Sequence, residues 1–125
     1  MTEPDIRALL ERHWSDINNQ EIVHEIYHDD VVLEFPQSGE RLVGKANIRA
    51  MREAYPAHLT FAIQRMRGRD DLWVTEGVIT YNGGPPMRTI TIMEFAGPSV
   101  MREAIYVTEP FDPPAWRAPW VQTAT

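Results

Sequence analysis

Apolar residues recur at helical spacing in the first part of the chain and alternate with polar ones in the second. Thr2 and Asp5 stand as a capping pair around Pro4, and Ile6, Leu9, Leu10, Trp14 and Ile17 then follow at steps of about three or four residues. This predicts a helix that ends near Asn18 and Asn19. Ile22, Val23, Ile26 and Tyr27 fall on one face of a short second helix. "HDD" (28–30) turns the chain into a strand over 31–35, and Ile48, Met51 and Tyr55 mark a third helix. Pro56 stops that helix, because the residue before a proline is pushed out of the α region.

Beyond Pro56 the segments "HLTFAIQRM", "LWVTEGVITY", "MRTITIMEF" and "VMREAIYVT" are rich in β-branched and aromatic residues and predict strands. "RGRDD", "NGGPP" and "AGPS" separate them. Connections this short join only antiparallel neighbours, since a parallel crossover takes about a dozen residues or more. Helices first and a four-stranded meander afterwards predict one α+β domain over 1–125, closing on a tail rich in proline and tryptophan, "EPFDPPAWRAPW".

One stretch invites a different reading. "GERLVGKA" (39–46) matches the phosphate-binding loop G-x-x-x-x-G-K-[ST] up to its last position. Ala46 has no hydroxyl to ligate magnesium, and such a loop follows a strand of a parallel sheet, which the meander rules out. The stretch therefore reads as the connection from the first strand to the third helix, with Gly44 allowing the turn. Gln37, Glu40 and Arg41 then become candidates for the rim of a pocket or for support of a dimer.

Composition narrows the classes further. A formal net charge of −6 and a pI near 5.1 argue against a nucleic-acid partner, whose phosphates call for lysine and arginine. There is no cysteine, hence no disulfide and no thiolate metal site. No apolar run approaches the roughly 18 residues of a membrane span, and "MTEPDIRALLERHW" is unlike a secretory leader, so a cytoplasmic protein is expected. His24, His28 and His58 share no helical spacing with a carboxylate that builds a metal triad, so neither metal nor cofactor is expected.

The element order, the stretch "YHDDVVLEFPQSGERLVGKANI" and the tail "EPFDPPAWRAPWV" together resemble the superfamily of nuclear transport factor 2, ketosteroid isomerase and SnoaL-like polyketide cyclases. The resemblance implies three N-terminal helices packed in a curved, mostly antiparallel sheet, a cone-shaped α+β barrel with an apolar pocket for a small hydrophobic ligand. It leaves two functions open, a cofactor-free acid–base enzyme and a non-catalytic dimeric ligand-binding or protein-interaction module. Laid on the ketosteroid isomerases, the carboxylate base falls at Phe35, the oxyanion-hole tyrosine at His13 and the protonated aspartate near Thr91. None matches. The cyclases imply an inward Asp with His support on the late strands, and 87–109 contains neither.

Strand alternation, set by the same resemblance, turns Trp73, Thr75, Gly77, Ile79 and Tyr81 inward, then Thr89, Thr91, Met93 and Phe95, then Arg102, Ala104 and Tyr106. The opposite face, with Val74, Val78, Ile90 and Ile92 beside Glu76, Arg88 and Glu94, is apolar enough to suit a homodimer interface. His13 follows Leu9 and Leu10 by about one turn, beside the apolar stripe. It is either a neutral base or donor in the pocket, with Arg102 and Tyr106 polarising an oxygen, or a core-edge histidine bonded to a carbonyl. Arg102 likewise either holds an anionic ligand or pairs with Glu76 or Glu103 at the rim. Trp14, Phe35, Tyr55, Phe61, Trp116 and Trp120 join Trp73, Thr75, Tyr81, Thr89, Thr91 and Met93 as the expected ligand-binding set. Core packing explains most of the aromatic members equally well.

Overall fold

The computed structural model describes residues 1–55 and 57–122. Its first helix, α1 (Glu3–Ser15), starts at the capping pair: Thr2 Oγ1 accepts from the Asp5 N–H at 3.3 Å, and the Asp5 carboxylate accepts from the Thr2 N–H at 2.9 Å. Each bond satisfies a backbone donor that a helix start leaves open. The apolar stripe buries Ile6, Leu10 and Trp14, with His13 beside them. Helix α2 (Gln20–Glu25) is capped by the Asn19 side chain. Tyr27 opens β1 (Tyr27–Phe35) instead of closing the helix, so 28–30, read as a turn, lie exposed within the strand.

The segment after β1 was expected to be a loop and is in part a strand. β2 (Glu40–Val43) folds back antiparallel on β1, with Leu33 opposite Leu42 and Phe35 opposite Glu40. Gly39, at φ 76°, makes the turn possible, and Gly44, at φ 96°, precedes α3 (Lys45–Glu53) while donating its N–H to the Val31 carbonyl at 2.8 Å. The near-match to a phosphate loop is thus a hairpin strand and a helix start. Pro56, read as the stop of α3, lies outside the described residues.

The meander is present as β3 (Leu59–Arg69), β4 (Leu72–Tyr81), β5 (Met87–Ala96) and β6 (Ser99–Thr108). The sheet order is β2-β1-β6-β5-β4-β3, antiparallel except where β1 runs parallel to β6. The sheet curves around the helices without closing, and β2 and β3 remain its edges. β3 carries exposed Arg65, Arg67 and Arg69, charges that discourage edge-to-edge pairing. The core lies in the hollow, where Ile6, Leu10 and Trp14 meet Val31, Leu33, Ile48, Trp73, Met93 and Val100.

Alternation holds on β4 and β5 but not on β6. Trp73, Thr75, Thr89, Thr91, Met93 and Phe95 are all buried on the concave side. On β6, Val100 pairs with Phe95, yet Arg102 pairs with Glu94, so Met101 is an extra residue, a β-bulge. One inserted residue reverses the parity of everything after it. Glu103, Ile105 and Val107 therefore take the concave side. Arg102 and Tyr106, expected inward, stand on the convex face, where Arg102 pairs with Glu34 at 2.9 Å and Glu94 at 3.4 Å instead of Glu76 or Glu103.

Candidate functional site

Helices and sheet part company near the end of β4 and the start of β5, and the gap is a cavity of about 330 Å³. At its closed side Trp73, Met93 and Thr75 pack too deeply to line it, and Trp73 Nε1 donates to the Asp70 carbonyl at 3.2 Å. Gly77 follows on the same face. A Cβ there would lie 2.3 Å from Phe61 Cζ, so the missing side chain lets Phe61 cross the sheet and stack on Trp14 at 4.2 Å and 10°. Those two rings form one wall.

Of the residues expected from the sequence, His13, Trp14, Phe35, Tyr55, Phe61, Tyr81, Thr89 and Thr91 line the cavity. The three positions where isomerase groups would fall, His13, Phe35 and Thr91, thus converge on one space. Trp73, Thr75 and Met93 belong to the packed floor. Trp116 and Trp120 sit exposed on a 3₁₀ helix (Ala115–Trp120) and Arg102 and Tyr106 in a shallow depression on the convex face, away from the lining. Gln37 does not itself line the cavity; its side-chain oxygen accepts from the N–H of the lining residue Val107 at 2.8 Å and ties the β1–β2 turn to β6.

The sequence reading missed Gln20, Arg52 and Glu103. For Arg52 a signal existed: Ile48, Met51, Arg52 and Tyr55 share helical spacing, which puts the arginine on the inward stripe of α3. For Glu103 none existed, because the bulge has no mark in the sequence.

Both readings of His13 meet in the structure. Its Nδ1–H donates to the Val23 carbonyl at 2.8 Å, and it lines the cavity at 3% exposure. Burial first, and then the charge of Arg52, lower its pKa to about 3 against the opposing effect of the Val23 bond. The ring is neutral, so Nε2 carries a lone pair, and among the described residues no protein group bonds it.

Behind the cavity runs a buried polar chain. Arg52 Nη1 donates to His24 Nε2 at 3.1 Å and to the Tyr27 hydroxyl at 3.3 Å, and that hydroxyl donates to Glu103 Oε1. His24 gives its Nδ1–H to the Gln20 carbonyl at 2.6 Å, and burial lowers its pKa. Glu103 is 0% exposed, burial raises its pKa, and its Oε2 has no partner. Burial disfavours the Arg52 charge, but Tyr27 and Glu103 beside it raise its pKa on balance.

Three other buried polar atoms have no partner among the described residues: Trp14 Nε1, Gln20 Oε1 and Thr89 Oγ1. All three residues line the cavity. Such an atom costs about 1–3 kcal/mol if nothing bonds it. The site therefore offers an apolar wall, a neutral imidazole acceptor, one cation and a few unspent hydrogen-bonding groups. Among the described residues no three His, Asp or Glu side chains converge on a metal position, and no helix is long and apolar enough to cross a membrane.

Comparison with solved structures places this geometry among known folds. An NTF-2 like protein of unknown function from Burkholderia xenovorans is 40% identical, with 98% of each chain covered and a TM-score of 0.89. A proposed ketosteroid isomerase from Kribbella flavida superposes with a TM-score of 0.86 at 22% identity over 98% of this chain and 91% of its own. A proposed SnoaL-like polyketide cyclase from Shewanella denitrificans gives 0.71 at 13% identity over 85% and 91%. Comparison with curated protein sequences returns no match. The SnoaL-like domain model matches residues 6–102, and the chain belongs to that family.

Proposed function

We propose that the cavity binds a small, largely apolar molecule that carries at least one polar group. The carrying observation is the set of buried, unpartnered atoms on Trp14, Gln20 and Thr89, all on cavity-lining residues. A core built only for stability pairs such atoms. Binding is better supported than proton abstraction: among the described residues no carboxylate lines the cavity, and an imidazole with a pKa near 3 is a weak general base at neutral pH. The unoccupied Nε2 of His13 supports a second reading, a cofactor-free enzyme in which that nitrogen accepts a proton or hydrogen bond from an oxygen-bearing substrate.

Thr89→Val tests the first reading. It removes an unpartnered hydroxyl at nearly constant shape, so the ligand-free protein is expected to gain about 1 kcal/mol in urea unfolding. Binding of 2-naphthol, a flat apolar probe with one hydroxyl, is expected to weaken several-fold by calorimetry. A stability loss on substitution, or no naphthol binding by the parent protein, counts against the reading.

We also propose that a second copy covers the convex face. Ile90 and Leu72 are exposed there beside half-buried Val74, Val78 and Ile92. Ile90→Glu is expected to convert a dimer to a monomer in light scattering, and a monomeric parent protein would remove the proposal.

A further inference from the structure

Arg52 is unusual among the cavity-lining residues. Among the described lining residues it is the one side chain charged at neutral pH, since His13 is held neutral and the others are apolar, amide, hydroxyl or indole groups. A guanidinium has five N–H donors. Here Nη1 serves His24 and Tyr27, while the nearest carboxylate oxygen, Glu103 Oε1, is 4.0 Å from Nη2, beyond hydrogen-bond reach. Glu103 is itself fully buried and does not line the cavity. The arginine side chain keeps 22% of its surface exposed. A cation with unspent donors thus faces an otherwise uncharged space.

Resting on the reading of the cavity as a small-molecule site, we propose that its ligand ends in a carboxylate and that Arg52 binds that end. A planar carboxylate matches the guanidinium fork with two parallel hydrogen bonds. Arg52 is the single cation facing this space and has Glu103 behind it, so a monoanion is favoured over a dianion such as phosphate, which would add a further uncompensated charge. Tyr81, also in the lining, is close enough to influence the ionisation of Arg52. The chain of Gln20, His24, Arg52, Tyr27 and Glu103 fixes the guanidinium from behind, so its orientation is set before a ligand arrives.

Calorimetry at pH 7 with 4-phenylbutanoate and its neutral relative 4-phenylbutanamide tests the assignment on the whole protein. The acid is expected to bind at least tenfold tighter, and Arg52→Met to abolish the preference. Because Arg52→Met also disturbs the polar chain behind it, Glu103→Gln supplies an independent measurement. Glutamine keeps an acceptor for Tyr27 and carries no negative charge, so the acid is expected to bind at least as tightly as to the parent protein and the amide unchanged. Equal affinities for acid and amide in the parent protein, or a weakened acid affinity in Glu103→Gln, would overturn the role of Arg52 while the cavity reading stands. Binding of neither compound would overturn both.

Discussion

Glu103→Ala is expected to cost the fold about 3–5 kcal/mol, the loss that follows when one partner of a buried charged pair is removed. Glu103 sits on β6 opposite Met93 and beside Leu33, with no exposure. Its removal leaves the Tyr27 hydroxyl without an acceptor, leaves Arg52 without its nearest counter-charge, and opens a void in a packed layer. Glu103→Gln removes only the charge. Its amide oxygen takes over the bond from Tyr27, and Oε2, which has no partner, is the atom that becomes the amide nitrogen. Glutamine is therefore expected to cost much less than alanine. The double variant Arg52→Met with Glu103→Leu is expected to recover much of the alanine loss, since a buried ion pair replaced by apolar groups of similar volume is often neutral. Urea unfolding of the four proteins measures all three statements. Alanine and glutamine variants of equal stability would show that the Tyr27 bond contributes nothing.

The order of elements was legible in the sequence because each carries its own local chemistry: a capping box at Thr2 and Asp5, alternation in "LWVTEGVITY", and turn residues too few for a crossover. β2 was not, since four residues of mixed character between two glycines look like a loop until β1 supplies their hydrogen bonds. The site was half legible. His13 follows from helical spacing beside the apolar stripe, and the walls from β4 and β5 from strand alternation once the family resemblance chooses the inward face. Arg102 and Tyr106 were misplaced and Glu103 overlooked for one reason, the extra residue at Met101, whose effect is to exchange the two faces of β6. That exchange matters chemically. It sends one arginine to an exposed ladder with Glu34 and Glu94 and brings a glutamate into the core, where it needs Tyr27 and Arg52. The tail tryptophans misled differently: their composition suggested a ligand wall, but prolines at 110, 113, 114 and 119 keep the segment out of the sheet, and Trp116 and Trp120 end exposed.

Lowering the pH from 7 to 5 is expected to remove about 2 kcal/mol of folding stability through His13 alone. Its pKa in the folded protein is about 3, against an ordinary value of 6.5. The unfolded chain therefore binds a proton on this ring below pH 6.5 and the folded one does not, so stability is present above that pH and is lost as pH falls toward 3. The rate of loss approaches about 1.4 kcal/mol per pH unit. His24, with its pKa also lowered, acts in the same direction. Glu103 acts in the opposite one: its pKa is raised, so its contribution is present below the ordinary carboxylate value of 4.5 and is lost as pH rises through the folded value. Between pH 4.5 and 6.5 the two histidines thus act against the one carboxylate. His13→Asn separates the contribution, because an asparagine amide can still donate to the Val23 carbonyl but cannot take up a proton in this range. Its unfolding free energy is expected to vary less steeply between pH 7 and 5 than that of the parent protein, and identical slopes would show that His13 is not the group responsible. The same physics bears on the cavity. An imidazole held neutral at pH 7 presents Nε2 as a hydrogen-bond acceptor, so under the proposed small-molecule reading His13 would accept from a donor on the ligand, and a pH dependence of binding near neutrality would come from the ligand or from another group.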